Sequence, residues 1–260
     1  MKKDSETEFD SNIPDSYTPG SDRAATAREC DLLQRAEIKS YDLMFSGSNY
    51  VFLTEMVKNG TRFKGIYKPR QGEAPLWDFP DGTLYKREYA AFIISQALEW
   101  HLIPSTIIRE GPYGIGSMQW FVETAGRVRH HSEMARDLTV LKQVAVFDFL
   151  TNNADRKASH FLEGTDGRLW VVDHGLTFNT VPKLRTVLWD FAGQIVPKKL
   201  MADVRMLQNR LRRDKQLRRD LHQLLEEQEV EAMEFRIKRL IEKPVFSHPQ
   251  SHRSVPWPWI

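Results

Sequence analysis

The stretch VFDFLTNNADRKASH, Val146 to His160, runs an apolar helical segment straight into an aspartate, an arginine, a lysine and a histidine. Loops of this composition are commonly solvated connections, and Asp155 taken alone reads as a turn or cap residue. Its surroundings are less ordinary. LTVLKQVAVFDFL, Leu138 to Leu150, is apolar on most sides, which predicts a helix buried within a lobe. Beyond the polar loop, HFLEG and RLWVVD predict a short β pair around Thr165-Asp166-Gly167, and the second strand ends at Asp173.

The sequence on the N-terminal side has a different character. From Tyr41 it reads YDLMF, SGSN, YVFLTEMV, NG and TRFKGIYKP, which predicts three antiparallel strands with Asn59-Gly60 as a hairpin turn. Pro80-Asp81-Gly82 marks a further turn, and Thr83 is the expected N-cap of a helix reaching about Trp100. On that helix Leu84, Glu88, Ala91, Ser95 and Leu98 share one row, so Glu88 points the same way as small and apolar residues. STIIREGPYGIGSMQWFVE then predicts two more strands joined by a Gly-Pro-Tyr-Gly turn.

Toward the C-terminus, Leu200, Val204, Leu207 and Leu211 form one helical stripe, and Val230, Met233, Ile237 and Leu240 form another. The expected layout is a disordered tail over residues 1–30, a β-rich N-lobe with one helix over 31–124, a mainly helical C-lobe over 125–245, and an irregular tail over 246–260.

Composition narrows the partners. With 37 basic and 35 acidic residues the net charge is +2, which argues neither for nor against an acidic ligand. The basic run Arg205 to Asp220 carries the leucine stripe, so its arginines read as a solvated helix face, with Glu226, Glu227 and Glu229 following; no nucleic-acid partner is expected. The single Cys30 excludes an internal disulfide framework and an all-cysteine metal site. The N-terminus lacks an apolar signal region, and no run approaches the roughly 18 to 20 apolar residues of a membrane span. A cytoplasmic monomer without a transmembrane segment is expected. His130 and His131, with His160, Asp173 and His174, are a conceivable hydrolytic metal cluster, but they lack His-x-x-x-His or His-Glu-x-x-His spacing.

A β-rich lobe followed by a helical one, with a polar loop and an aspartate-terminated hairpin, outlines an α+β, two-lobed, protein-kinase-like fold. Phosphoryl transfer needs a cation at the phosphates, a group to orient the attacking hydroxyl, and carboxylates for a metal. Lys68, Glu88, Asp155 and Asp173 come in the order those roles require. Each has a plainer reading. Lys68 can be a solvated strand-end lysine, Glu88 can be a surface glutamate, or an inward one for which Arg87 competes with Lys68, Ser46 to Asn49 can be an ordinary turn, and Gln119 can face solvent.

Blocks spread over about residues 41 to 200 strengthen the kinase outline: YKPRQGEAP (Tyr67–Pro75), REYAAFIISQALEWHLIPST (Arg87–Thr106), GSMQWFVE (Gly116–Glu123), VFDFLTNNADRKASH (Val146–His160), VVDHGLTF (Val171–Phe178) and WDFAGQIVP (Trp189–Pro197). In this ordered combination the chain resembles the phosphatidylinositol 3- and 4-kinase superfamily, in particular the type II phosphatidylinositol 4-kinases and small bacterial kinase-like relatives.

That resemblance implies ATP and a divalent metal between the lobes, with the γ-phosphate passing to a hydroxyl of an unidentified protein, small-molecule or lipid acceptor. It implies that Lys68, paired with Glu88, meets the α- or β-phosphate, and that Ser46, Gly47, Ser48 and Asn49 form the turn over the phosphates. Gln119 and the backbone near Phe121, Val122 and Glu123 would meet adenine. Asp155 would accept the hydroxyl proton, and Arg156 would steady the loop or the transferred phosphate. Asp173 would bind magnesium. His160 stands where the family has a metal-binding asparagine, and an imidazole there suits manganese or zinc better than magnesium. The alternative is a pseudokinase that binds nucleotide as a regulatory module. The stretch Gly72 to Thr83 lacks the cysteines that carry lipid in the type II enzymes, so no lipid anchor is expected.

Overall fold

The computed structural model describes residues 19–44, 48–124 and 138–257. Strands β1 (Glu37–Met44), β2 (Val51–Lys58), β3 (Thr61–Pro69), β4 (Thr106–Gly111) and β5 (Gly114–Trp120) form one antiparallel sheet in the order β1-β2-β3-β5-β4. Asn59 and Gly60, at φ 51° and 79°, both take the left-handed conformation that a two-residue hairpin turn demands. Strand alternation sends Phe52, Tyr67 and Met118 to one face, where they pack with Ile107 and Leu33. Lys68 belongs to the opposite face.

Leu33 lies on helix α1 (Pro19–Arg35), which occupies sequence expected to form a tail through residue 30. The helix escapes a search for apolar periodicity because polar contacts hold much of it. Arg23 pairs with Glu99, Glu29 accepts from Ser105 Oγ at 2.6 Å, and Asp22 faces Arg168 at 3.6 Å. Arg109 donates to Leu33 O and Ala36 O at 2.6 and 2.9 Å, satisfying carbonyls at the helix C-terminus.

Helix α2 (Leu84–Ala97) buries Leu84, Glu88, Ala91 and Ser95 as their shared row predicts, and Leu98 just past its end is buried too. Its cap differs from expectation. Thr83 donates its hydroxyl to Pro80 O at 2.7 Å, and Glu73, eleven residues upstream of Leu84, accepts from Leu84 N at 3.0 Å and Tyr85 N at 2.8 Å. Because α2 carries Glu88, this cap sets the position of the site. Glu73→Ala is expected to cost about 1 to 2 kcal/mol, the usual scale for losing a helix cap. Urea unfolding reads the change, and an unaltered midpoint would remove the capping role.

The second lobe holds α3 (Leu138–Thr151), the hairpin β6 (Phe161–Glu163) and β7 (Leu169–Val171), and helices α4 (Lys198–Arg213), α5 (Lys215–Leu224) and α6 (Glu227–Glu242). Both leucine-rich stripes are buried in one core that also takes in α2 and α3. Asp214 ends α4 and caps α5, accepting from Gln216 N and Leu217 N at 2.9 and 3.0 Å, so the basic run is two helices. Glu229, grouped by sequence with exposed glutamates, is 7% exposed and pairs with Arg87 of α2 at 2.6 Å. Arg87 also donates to Thr177 O at 2.7 Å, so it ties α2 to the helical lobe rather than competing for Glu88. Among the described residues no helix is long and apolar enough to cross a membrane.

Candidate active site

Lys68, near the end of β3, points from the sheet toward α2 and the turn after β7. Its ammonium contacts Glu88 Oε1 and lies 3.0 Å from Asp173 Oδ1. The second oxygen of Glu88 accepts from His174 N at 3.0 Å, so one buried carboxylate holds both the lysine and the backbone beside Asp173. Asp173 sits at φ 62°, a conformation uncommon outside glycine and one that gathers at functional turns. Its side chain stays 51% exposed.

Charge and burial compete at this cluster. Burial disfavours the Lys68 ammonium, but the carboxylates of Asp173 and Glu88 outweigh it and raise its pKa. The Lys68 charge holds Asp173 well below the usual carboxylate range. Glu88 is pushed up by burial, with Lys68 pulling the other way.

The chain leaves α3 through Asn152, at φ 53°, whose amide donates to Asn179 O at 2.8 Å and Val181 O at 2.7 Å while its oxygen accepts from Lys183 N at 2.8 Å. Asn153 donates to Asp148 Oδ1 at 3.0 Å and accepts from Asp155 N at 2.9 Å. Ala154 N donates to Leu176 O at 2.9 Å. Asn152, Asn153 and Ala154 are thus fastened either to α3 or to the segment after Asp173.

Arg156 completes the fastening. Its side chain is 0% exposed, with Nε and Nη2 donating to Asp148 at 3.0 to 3.2 Å and Nη1 donating to Val172 O at 2.8 Å. Nη2 also donates to His174 Nε2 at 2.7 Å, which makes Nδ1 the protonated nitrogen of that ring; burial keeps the ring neutral. Of the two roles the resemblance implied for Arg156, its burial fits steadying the loop and leaves no route to a phosphate in the cleft. Asp148 has no role in the sequence reading, although it is the one carboxylate of a mostly apolar helix, which is a usable signal.

Asp155 and Lys157 face the cleft, with Lys157 Nζ 3.0 Å from Asp155 Oδ2. Burial raises the Asp155 pKa, opposed by the hydrogen bond from Lys157. Lys157, also unassigned from sequence, lines a cavity of about 190 Å³ with Ser48, Asn49, Lys68, Glu88, Asp155 and Asp173. A larger cavity of about 490 Å³ lies alongside, walled by the 70–82 loop and Gly114-Ile115, and shares only Glu73 and Leu84 with the first. It contains none of the acidic cluster, so the smaller cavity is the one where chemistry is available.

Asp155, His160 and Asp173 each offer a ligand atom, all within 4.8 Å of one another. His160 Nε2 lies 3.3 Å from Asp173 Oδ2, and burial pushes the His160 pKa down to about 4, so the ring is neutral near pH 7. Two carboxylate oxygens and a neutral imidazole nitrogen fit a divalent cation, and the nitrogen favours manganese over magnesium.

The remaining expected residues are distributed differently. Asn49 accepts from Ala74 N at 2.7 Å, pinning the turn before β2 to the 70–74 segment, while Ser46, Gly47, His130 and His131 lie outside the described residues. Phe121 N donates to Lys64 O at 3.3 Å and Glu123 O accepts from Thr165 N at 2.9 Å. Between them, Val122 makes no backbone hydrogen bond among the described residues. Gln119 is 5% exposed and does not face solvent. None of these four lines the 190 Å³ cavity.

The lobes and the cleft between them define a kinase-like phosphotransferase fold. Two solved structures share it: Golgi casein kinase with Mn/ADP bound, at TM-score 0.56 and 15% identity over 85% of this chain and 75% of that one, and hydra Fam20 with sugar, at TM-score 0.50 and 13% identity over 85% and 89%. Identities this low establish the fold alone. No family model matches the chain. Protein Rv2133c of Mycobacterium tuberculosis is 38% identical over 248 residues, spanning 82% of this chain and 88% of the relative, and the chain belongs to the family of that protein.

Proposed function

We propose that this protein transfers the γ-phosphate of ATP to a hydroxyl group. The observation that carries the reading is the convergence of Lys68, Glu88, Asp155, His160 and Asp173 at one cleft, from positions as far as 105 residues apart in sequence. The manganese and ADP bound by the casein kinase neighbour support nucleotide and metal use on this fold. The ordered sequence blocks support a position near the phosphatidylinositol 3- and 4-kinases.

Glu88 keeps the Lys68 ammonium aimed into the cleft, where it would meet phosphate oxygens. Asp173 and His160, with Asp155 beside them, would hold a divalent metal, which would supply charge neutralisation at the triphosphate. Asp155 accepts the proton of the attacking hydroxyl as its oxygen bonds to phosphorus and the bond to the β-phosphate oxygen breaks, releasing ADP. Asn152, Asn153 and Arg156 hold Asp155 in place, so orientation costs little at the moment of reaction.

Incubating the protein with γ-labelled ATP and either Mn²⁺ or Mg²⁺, alone, with cell extract and with lipid vesicles, tests the reading and identifies the acceptor fraction. Label transfer is expected, faster with Mn²⁺, and His160→Asn should move the preference toward Mg²⁺ by several-fold. ATP binding without transfer would leave a nucleotide-binding regulatory module. Absence of binding with either metal would sink both readings.

A further inference from the structure

The segment between β3 and α2 runs from Arg70 to Thr83 and meets the helical lobe at Asp78. The Asp78 carboxylate lies 2.6 Å from Lys183 Nζ, and its carbonyl accepts from Asn179 Nδ2 at 2.7 Å. Both partners belong to the chain that follows Asp173. On either side of Asp78, Leu76 and Phe79 pack with Leu84 of α2, with Leu176 and with Ala154, the residue before Asp155.

These contacts connect the supports of both halves of the site. Asn152 holds the backbones of Asn179, Val181 and Lys183, so Lys183 and the loop that carries Asp155 form one unit. At the other end Glu73, five residues before Asp78, caps the helix that carries Glu88. Arg87 and Glu88 anchor the body of α2 to the chain after Asp173, and Asp78 anchors the loop that ends on its first turn.

Packing does not hold that loop from its outer side. Ala74, Pro75, Leu76, Phe79 and Pro80 wall the cavity of about 490 Å³, so the loop has open space beside it. Trp77 covers the crossing instead. Its ring is 92% exposed and lies 4.6 Å from Lys183 Nζ. A tryptophan this open gains little from burial, whereas the cation against its face gives it a partner and the ring shields the ion pair. The Lys183 and Asp78 side chains are accordingly 13% and 18% exposed, more enclosed than an ordinary surface pair.

We propose that Asp78 and Lys183 form a latch between the lobes that keeps Lys68 and Glu88 in register with Asp155 during transfer. The proposal rests on the transferase reading above and adds two positioning residues, neither of which lines the cavity of about 190 Å³.

Three variants of the full chain test the latch. Lys183→Met removes the charge and keeps a stem against Trp77, Lys183→Arg keeps the charge, and Asp78→Lys with Lys183→Asp exchanges the pair. Asn179 meets Asp78 through its backbone carbonyl, so the exchange leaves that bond in place. Lys183→Met should slow label transfer from γ-labelled ATP with Mn²⁺ to acceptors in cell extract about fivefold, with calorimetric ATP affinity within about twofold of wild type. Lys183→Arg and the exchanged pair should recover about half or more of the wild-type rate. Hydrogen exchange without nucleotide should quicken about threefold to fivefold over residues 73–85 and 150–157 in Lys183→Met and stay level over α6. Wild-type transfer by Lys183→Met, recovery in neither charge-restoring variant, or exchange quickened equally over α6 would overturn the latch. If the wild type transfers no phosphate, the transferase reading falls and takes the positioning role with it, while hydrogen exchange still decides whether the pair holds the two segments.

Discussion

Asp155→Asn should lower phosphoryl transfer by about 10³-fold, within the range that a positioned general base contributes, while leaving ATP affinity nearly unchanged. The asparagine keeps the shape of the side chain but cannot take a proton. Lys68 with Glu88, and Asp173 with His160, do not depend on the Asp155 carboxylate for their mutual contacts, so the nucleotide side of the cleft survives. Lys157 loses the charge of its 3.0 Å partner, keeping at most a hydrogen bond to the amide oxygen, and gains freedom to follow a phosphate, which favours binding if it changes it at all. Single-turnover transfer and calorimetric ATP binding separate the two effects. Turnover equal to wild type in a folded preparation would remove Asp155 from the chemistry, and a matching loss of ATP affinity would mean that it holds nucleotide or metal instead.

The residues that could be found from sequence are those whose role imposes a local pattern. Period-2 alternation and Asn59-Gly60 give the first hairpin, and helical spacing gives the row that buries Glu88. Lys68 and Asp173 stand at strand ends, where turns expose functional groups. What escaped notice depends on contacts distant in sequence. The cap of α2 comes from Glu73 across a loop, and nothing near Thr83 announces it. Glu229 looks like its exposed neighbours until Arg87, 142 residues away, claims it. Helix α1 is invisible to apolar periodicity because ion pairs to Glu99 and Arg168 hold it. The resemblance leaves Arg156 two roles, steadying the loop or the phosphate, and only its distant contacts to Asp148, Val172 and His174 show that it turns into the protein.

That inward ion pair predicts the largest effect on stability. Asp148→Ala should cost about 3 to 5 kcal/mol, because it leaves the Arg156 guanidinium in a site from which both side chains of the pair are fully excluded from water. For a chain of this size the loss corresponds to roughly 10 °C in Tm. Asp148 also receives Asn153, so the same substitution frees the loop residue that holds the Asp155 backbone. The contacts of the pair tie α3, the loop and His174 together, so its main expected contribution is register rather than net stabilisation, since burying the two charges offsets much of their attraction. A double variant distinguishes the two contributions. Arg156→Met removes the stranded charge, so Asp148→Ala with Arg156→Met should recover much of the lost Tm without recovering transfer activity, since the connection to Val172 and His174 is gone. If the double variant were as unstable as Asp148→Ala alone, the cost would lie in packing rather than in the unpaired charge. If it regained full activity, Asp155 would be held by Asn152 and Asn153 alone, and Arg156 would have no part in positioning it.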